Sequence, residues 1–343
     1  MGDPKIKNME EFAVVSGISR PTISKYFHDP ASVRKSTRAR IEAALEQHDY
    51  RPNMYAINQN RRLTKNIGII VPYSADPVFA EFSRNLETLV IEAGYRPILL
   101  SSQGVRSQEI ENLNSLRSIK PAGVLMAPLG HNSHRDALEA FCNDVPTVLF
   151  DSNIAGIGEA FIGHDNAQAT GLICDYLCKT GEPPAFFGMR NPTDPNAFRR
   201  RETYCDVMER LGHTPQLIQV DGDGWNFEEI GYQQGRAVIT EKRLPSSTIL
   251  CSNDRLAIGL LAAAYETGHR VGSDEGCELR VAGHDDHPFS RYTCPSLTSV
   301  SHDYDSISKR SVELLLGLID SEMRSENRHT KLFDGTLILR SSA

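Results

Sequence analysis

The chain has 343 residues, of which 40% are hydrophobic and 24% are charged, a composition typical of globular proteins. This length allows two or three domains of about 100–200 residues each, and no apolar run approaches the roughly 20 residues that span a bilayer. Because the chain opens on a polar, amphipathic segment and not on an apolar signal region, we expect a cytoplasmic protein.

Charge is distributed unevenly along the chain. Residues 1–66 carry 12 lysines and arginines against 7 acidic residues, whereas the remainder carries 25 against 37. A basic N-terminal segment on an acidic body is typical of a protein that contacts phosphates with one end. The seven cysteines are an odd number without CxxC spacing, which predicts reduced thiols inside a core.

Two short helices are predicted at the N-terminus. The first runs from Met9 to about Ser16, since the Asn8 side-chain oxygen can accept a free first-turn N–H and Gly17 ends the helix. Ser19 can cap a second helix that runs to about Phe27. A third helix, from Lys35 to His48, presents apolar residues that close a small bundle.

The first two helices have the spacing of a helix-turn-helix. A small residue, Ala13, stands where the helices cross, Gly17 stands at the turn, and Ile23 supplies a β-branched core side chain. The exposed face of the second helix carries donors that can reach phosphates and base edges in a major groove. These donors are Arg20, Thr22, Ser24 and Lys25. The alternative is a solvated polar face on a small three-helix domain.

A resemblance to a known family rests on the ordered segment GISRPTISKYFHDPASVRKSTRARIEAALEQHDYRPN and the following NIGIIVP. The chain resembles the lactose-repressor (LacI/GalR) family of bacterial transcriptional regulators. The resemblance implies that Arg20, Pro21 and Lys25 contact operator bases in the major groove, while Thr22, Ser24 and Asn53 hold phosphates. The full predicted DNA-binding set is Asn8, Ser19, Arg20, Pro21, Thr22, Ser24, Lys25, His28, Asn53, Tyr55, Ala56 and Gln59.

Two positions depart from the family pattern. His28 stands in the second helix where the family usually has Asn, and Gln59 stands where it usually has a leucine that inserts into the minor groove. An apolar wedge unstacks a base step and kinks the duplex, which Gln59 does less readily. Whether this protein kinks DNA is therefore left open by the sequence.

From residue 66 the pattern changes to alternating strands and helices. Apolar runs such as Ile67–Val71, Gly123–Ala127 and Thr248–Cys251 read as buried strands, and amphipathic segments follow them. The fold class predicted is an all-α helix-turn-helix headpiece plus an α/β core of two doubly wound parallel-sheet lobes, which the resemblance makes periplasmic-binding-protein-like. The predicted boundaries are a headpiece at 1–52, a hinge helix or linker at 53–65 and a core at 66–343, with one lobe at 66–162 and 298–328 and the other at 163–297 and 329–343.

Polar side chains at strand ends predict a ligand site between the lobes, since small ligands of such proteins lie at the carboxyl ends of strands. Carboxylates and amides there can bind vicinal hydroxyls, and an aromatic ring can stack on an apolar sugar face. By resemblance, Phe79, Arg201, Asn253 and Asp285 match pocket positions, and either Trp225 or Phe227 serves as the pocket aromatic. The full predicted effector-binding set is Phe79, Asp151, Asp165, Arg201, Trp225, Phe227, Asn253, Asp254 and Asp285. Helix capping is the alternative role for Asp165 and Asp254.

The sequence gives little support for catalysis or metal binding. His284, Asp285, Asp286 and His287 include ligating types, but adjacent residues of an extended chain point to opposite sides and do not converge on one ion. GxGxxG, P-loop and GxSxG motifs are absent from the sequence. We therefore predict neither a catalytic residue nor a metal or cofactor.

The predicted function is a repressor that binds near-palindromic operator DNA as a homodimer and responds to a small-molecule effector. The effector is predicted to be a sugar, a sugar acid or a sugar phosphate, with the Arg199-Arg200-Arg201 run favouring the acidic classes. The alternatives are a ligand-binding protein or sugar enzyme with a degenerate headpiece, and control by a protein partner. A DNA-binding role also places the protein at the bacterial nucleoid.

Overall fold

The computed structural model describes residues 6, 8–28, 30–48, 50, 64–192, 195–222, 224–320 and 328–343. The chain divides into two compact units, Met1–Thr64 and Lys65–Ala343. Among the described residues, no helix is both long enough and apolar enough to cross a membrane.

Within its described residues, the first unit contains three α-helices: α1 is Met9–Ser16, α2 is Arg20–His28 and α3 is Lys35–Gln47. The Asn8 side chain caps α1 by accepting from the Glu11 N–H at 2.9 Å, and Gly17 ends α1 with a left-handed φ of 63°, as the sequence predicts.

A small hydrophobic core holds the three helices together. Phe12, Ile23 and Ile41 are fully buried, and the rings of Phe12 and Tyr50 stack with centroids 4.6 Å apart. A core of this size is consistent with a small independent unit whose remaining faces meet solvent.

The second unit has twelve strands and eight helices within the described residues. The strands are β1 Asn66–Val71, β2 Arg96–Ser101, β3 Gly123–Met126, β4 Thr147–Phe150, β5 Ala160–His164, β6 Ala185–Met189, β7 Leu217–Val220, β8 Thr248–Cys251, β9 Arg280–Ala282, β10 Ser299–Ser301, β11 His329–Phe333 and β12 Thr336–Ile338. The helices are α4 Pro77–Glu92, α5 Arg106–Ile119, α6 Arg135–Asp144, α7 Asn166–Thr180, α8 Pro195–Arg210, α9 Phe227–Thr240, α10 Asp254–Glu266 and α11 Tyr304–Asp320.

These elements form two α/β lobes. The first lobe is built on a six-stranded parallel sheet in the order β11-β5-β4-β3-β1-β2, and the second on a four-stranded parallel sheet in the order β7-β6-β8-β9. In β1, Ile67 and Ile69 pack into one hydrophobic cluster and Ile70 into another. Helices therefore cover both faces of the sheet, which explains why its strands are apolar throughout.

The chain crosses between the lobes three times; the sequence placed the first crossover correctly to within a few residues, after residue 162, and misplaced the other two. The crossovers follow β5, β10 and β11. Strand β11 was expected in the second lobe, yet it pairs with β5 in the first. Residues 298–301 were expected in the first lobe, yet Thr298 bridges Ala282 of the second, and β10 pairs with β12. Strand membership depends on pairing between segments distant in sequence, so local patterns do not determine it.

Candidate functional site

The helix α2 presents a polar face to solvent. Ser19, Arg20, Pro21, Ser24 and Lys25 are exposed and Thr22 is half-buried. The Ser19 and Thr22 hydroxyls lie 2.7 Å apart, which orients both at the start of the helix.

This face can bind an anionic partner without unfolding. Arg20 pairs with Glu10 at 3.3 Å, but both side chains are more than half exposed, and exposed pairs of this kind contribute little and are exchanged easily. The backbone N–H groups at the start of α2 add a favourable dipole for phosphate.

Part of the predicted DNA-binding set cannot be placed. Asn53, Tyr55, Ala56 and Gln59 lie outside the described residues. His28 is the last residue of α2, and its side chain also lies outside them. Asn8 is exposed and serves as the cap of α1.

A cavity of about 30 Å³ lies between the two lobes of the second unit. The first lobe contributes α4 and the end of β4, and the second contributes the starts of α8, α9 and α10 and the loop after β9. Seven of the nine residues predicted for effector binding line this cavity: Phe79, Asp151, Trp225, Phe227, Asn253, Asp254 and Asp285. The other lining residues are Asp76, Val78, Asn196, Arg200, Arg255 and His287.

Arg200, and not the predicted Arg201, is the arginine at this cavity. Arg200 is 2% exposed and donates to Asp285 Oδ1 at 2.6 Å, to the Ser252 carbonyl at 2.8 Å and to Asn166 Oδ1 at 3.1 Å. Arg201 instead donates to the Arg190 carbonyl and lies over the Phe198 ring. The prediction of Arg201 was wrong by one position: in α8, which begins at Pro195, Arg200 is buried and Arg201 is only partly buried.

Asp165 also lies outside the cavity lining. Its carboxylate caps α7 by accepting from the Gln168 N–H at 2.9 Å. Helix capping is the alternative role that the sequence predicted for this residue. Asn253 combines both roles, since it caps α10 through the Leu256 N–H at 2.9 Å and also lines the cavity.

Asp254 is completely buried and is not a cap. It accepts from the Ser290 and Ser299 hydroxyls at 2.6 and 2.7 Å and from the His287 backbone N–H at 2.8 Å. Burial raises its pKa to about 8, although the two serine hydroxyls oppose the shift. Asp254 therefore holds the loop after β9 against α10 at the cavity wall.

Asp151 belongs to a buried network at the first crossover. Its carboxylate accepts from the Asn196 amide at 3.1 Å and lies 3.0 Å from His164 Nε2. The His164 ring packs on His302 of the second crossover, with centroids 4.1 Å apart. Burial lowers the pKa of His302, and His164 and Arg200 add to this effect. The carboxylate at the cavity is thus connected to both crossover segments.

Aromatic side chains from both lobes meet around Trp225, the only tryptophan in the chain. Its ring stacks on Tyr73 at 5.5 Å, with edge contacts to Phe79 at 5.9 Å and Phe227 at 5.6 Å. Gly104, with φ +72°, lies directly against the indole, and a Cβ there would come within 2.4 Å of Nε1. Trp225 and Phe227 therefore both line the cavity, and the choice between them left open by the sequence does not arise.

An ion-pair cluster that the sequence did not predict joins the lobes beside Trp225. Arg255 of α10 donates to Asp76 Oδ2 at 2.9 Å across the cleft and forms two 2.6 Å bonds to Glu228. Burial raises the pKa of Asp76, while Arg255 opposes that shift. Asp76 also caps α4, and its place before Pro77 is the sequence signal that could have identified it as a cap.

Family models match both units of the chain. Residues 8–53 match bacterial regulatory proteins of the lacI family, and residues 182–343 match the periplasmic binding protein-like domain. The chain therefore combines a lacI-family helix-turn-helix domain with a periplasmic binding protein-like domain.

Similar proteins align over nearly the whole chain. The ribose operon repressor of Escherichia coli (strain K12) is 26% identical over 324 residues, which cover 93% of this chain and 95% of the relative. The HTH-type transcriptional repressor PurR of Histophilus somni (strain 129Pt) is 25% identical over 336 residues, which cover 97% and 98%. The lac repressor dimer solved with operator and the anti-inducer ONPF has the same fold, with a TM-score of 0.81 at 22% identity over 98% of this chain and 99% of that one.

Proposed function

We propose that the chain is a sequence-specific DNA-binding transcriptional repressor, controlled by a sugar or sugar derivative that binds between the lobes. It acts as a homodimer on near-palindromic operator DNA, since one headpiece offers too few contacts for specific affinity. The proposal assigns it no catalytic reaction, cofactor or metal. A repressor of this kind acts at the nucleoid, in the cytoplasm.

One observation carries the proposal: a helix-turn-helix with an exposed polar second helix precedes a two-lobed core whose polar cavity is closed by both lobes. The named relatives, a ribose operon repressor and a transcriptional repressor, support the same function. Residues 53–65 are proposed to connect the headpiece to the core and to transmit closure of the lobes to the DNA-binding helices.

The DNA-binding part is tested by mapping the genomic DNA that the protein occupies and measuring affinity for the recovered sites. Lys25→Ala is expected to weaken specific binding roughly tenfold or more, because it removes an exposed donor of α2. The matched control is Lys179→Ala, which removes the same charge from an exposed position of α7. Unchanged binding by the Lys25 variant would contradict the headpiece assignment.

The effector part is tested on the operator found in this way. Addition of the effector to the full chain is expected to change operator affinity by about 5- to 150-fold, the usual range of coupling between sites. Asp285→Ala is expected to abolish that response while leaving operator binding itself in place. A response that survives Asp285→Ala would place the effector elsewhere.

A further inference from the structure

Two buried histidines meet where the chain crosses between the lobes. His164 ends β5 at the first crossover and His302 follows β10 at the second, and these residues are only 4% and 5% exposed. Their rings lie against each other with centroids 4.1 Å apart. A motion of the lobes that moves one crossover relative to the other therefore changes the contact between these rings.

The surroundings of His302 determine which of its ring nitrogens carries the hydrogen. Its Nε2 lies 3.4 Å from Nη2 of Arg200, and because a guanidinium group has only donors, Nε2 is the acceptor. In the neutral ring the hydrogen is then on Nδ1, which has no partner within the described part of the chain. His302 is therefore held as the neutral Nδ1–H tautomer.

His164 is held in the opposite tautomer. Its Nε2 lies 3.0 Å from Oδ1 of Asp151, whose carboxylate also accepts from the Asn196 amide, so Nε2 is the donor. Its Nδ1 is then an acceptor, and it has no partner among the described residues either. The closed core thus buries one unpaired donor and one unpaired acceptor at the crossovers, which folded proteins normally avoid.

A second proton on His302 does not fit the closed core. It would have to bind at Nε2, where it would break the bond to Arg200 and bring two positive charges within 3.4 Å of each other. Arg200 is itself fixed, since it is 2% exposed and donates to Asp285 Oδ1 at 2.6 Å. Protonation of His302 therefore requires the ring to move away from Arg200.

The neighbouring acidic groups do not compensate a charge on His302. Oδ1 of Asp285 lies 3.8 Å from His302 Nε2, but this oxygen already accepts from Arg200. Tyr304 donates its hydroxyl to the Asp285 carbonyl, and burial raises its pKa, so its ring stays neutral. Asp151 bonds to His164 and not to His302.

The neighbouring basic groups act in the same direction as burial. Burial lowers the pKa of His302, and His164, Arg200 and His284 lower it further. His284 is completely buried, and burial and Arg200 lower its pKa as well. These shifts agree with the geometry, since both keep His302 neutral in the closed core.

We infer that His302, packed on His164, makes closure of the lobes sensitive to protons. The closed core holds only the neutral ring of His302, whereas separation of the crossovers lets that ring leave Arg200 and take up a proton in water. Acid therefore favours the open cleft. A ligand that binds the closed cleft more tightly than the open one would bind more weakly in acid, because the proton and the ligand favour opposite forms.

Proton binding and lobe opening are coupled with a definite sign. The pKa of His302 is lowered in the closed form and returns towards about 6.5 when the ring meets water. The closed form is therefore favoured most above about pH 6.5 and becomes less favoured as the pH falls. For one histidine, the ratio of open to closed molecules increases about tenfold between about pH 7.5 and pH 5.5.

Acrylamide quenching of Trp225 in the full chain tests this coupling, because Trp225 is the single tryptophan and is 6% exposed in the closed core. Quenching is measured between about pH 7.5 and pH 5.5 at constant ionic strength, with circular dichroism to verify that the chain stays folded. The quenching constant is expected to increase about twofold or more as the pH falls. Quenching that does not depend on pH would overturn the inference.

His302→Gln separates this histidine from the other titrating groups. Glutamine offers an oxygen to Arg200 and does not titrate, so quenching is expected to vary by less than about 1.3-fold over the same pH range. His302→Asn is a second neutral variant with the same expected result if the glutamine variant does not fold. His213→Gln is the matched control, since His213 is an exposed histidine after α8 and its variant is expected to keep the wild-type pH dependence.

Two other groups are alternative proton sensors. Burial raises the pKa of Asp76, whose protonation would release Arg255, and burial lowers the pKa of His287 in the cavity wall. A wild-type pH dependence that survives in His302→Gln, or that is lost in His287→Gln and not in His302→Gln, would overturn the assignment to His302. The measurement requires neither DNA nor a ligand, so its outcome is independent of the proposed function.

Discussion

Each buried charged side chain at the cavity forms several hydrogen bonds, as Arg200 and Asp254 show. Arg200 has donors directed at a carboxylate, a carbonyl and an amide, and it is 2% exposed. Removing one partner from such a group leaves the others buried and unpaired, which is more costly than the loss of a surface contact. The two adjacent arginines therefore differ greatly in their effect on stability.

Arg200→Met is expected to reduce the free energy of unfolding by about 3 kcal/mol or more, because Asp285 and Asn166 lose their donor. Arg201→Met is expected to change it by less than about 1 kcal/mol, since the contacts of Arg201 with described residues are a carbonyl and the Phe198 ring. Urea unfolding of both variants measures the difference. Equal losses would contradict the assignment of Arg200 to the interior.

The buried Asp254 predicts an unusual pH dependence. Its folded-state pKa of about 8 lies above that of an unfolded aspartate, about 4. The native state therefore binds the proton more tightly, and this residue makes the protein less stable as the pH rises from about 4 to 8, by at most about 1.4 kcal/mol per pH unit. Above about pH 8 its contribution no longer changes.

The comparison with Asp254→Asn isolates this effect from other titrating groups. The amide keeps the shape of the side chain but does not titrate, so the stability of the variant relative to wild type is expected to increase with pH over that range. Urea unfolding at several pH values measures the difference. A difference that does not vary with pH would show that the carboxyl titrates normally.

At the scale of single elements, glycines at helix ends and in helix interiors have opposite effects. Gly17 ends α1 with a φ of +63°, and a Cβ there would meet nothing within 4 Å, so backbone strain is the only cost of a side chain. Gly317 lies inside α11, where a Cβ would also meet nothing. Neither position is crowded, so comparing alanine at the two positions measures the cost of backbone strain at Gly17.

Gly17→Ala is expected to destabilise the first unit by about 1 kcal/mol, because the left-handed region disfavours alanine. Gly317→Ala is expected to stabilise the second unit by up to about 1 kcal/mol through helix propensity. Differential scanning calorimetry of the full chain measures both changes. A stabilising effect of Gly17→Ala would contradict the turn geometry.

At the scale of the whole core, the closed cleft is secured by Trp225 and by the ion pair between Arg255 and Asp76. Three crossover segments join the lobes, and His164 and His302 lie on two of them in direct contact. Opening the cleft therefore changes the surroundings of the two crossovers that carry His164 and His302 at once. A ligand-controlled repressor requires such coupling between its ligand site and the rest of the core.

Arg255→Gln is expected to shift the core towards an open cleft. Without the Arg255 guanidinium, the buried Asp76 carboxylate is unpaired, which is unfavourable. Separation of the lobes lets water solvate that carboxylate. Quenching of Trp225 fluorescence by acrylamide is expected to increase about twofold or more, since the ring is only 6% exposed in the closed form. Arg84→Gln is the control, because Arg84 lies on α4 in an exposed pair with Glu81. Equal quenching of the two variants would contradict a closing role for Arg255.

The sequence predicted most helices and strands to within a few residues, and it missed three strands and the helix α11 of the core. β5, β10 and β11 are short, and β11 has the polar composition HTKLF. These three segments are strands because segments distant in sequence pair with them, as β11 pairs with β5. Local amino-acid composition does not indicate which segments will pair. The misplaced second and third crossovers followed from the missed strands β10 and β11.

By itself the sequence determined the helix-turn-helix, because caps, the Gly17 turn and apolar spacing are local properties of the backbone. It also determined the alternation of strands and helices, since their hydrophobic periods differ. Only the tertiary structure decided that Arg200 faces the cavity, that β11 joins the first lobe, and that Arg255 and His287 belong to the site. Each of these depends on which surfaces meet when segments distant in sequence pack together, and such contacts have no local signature.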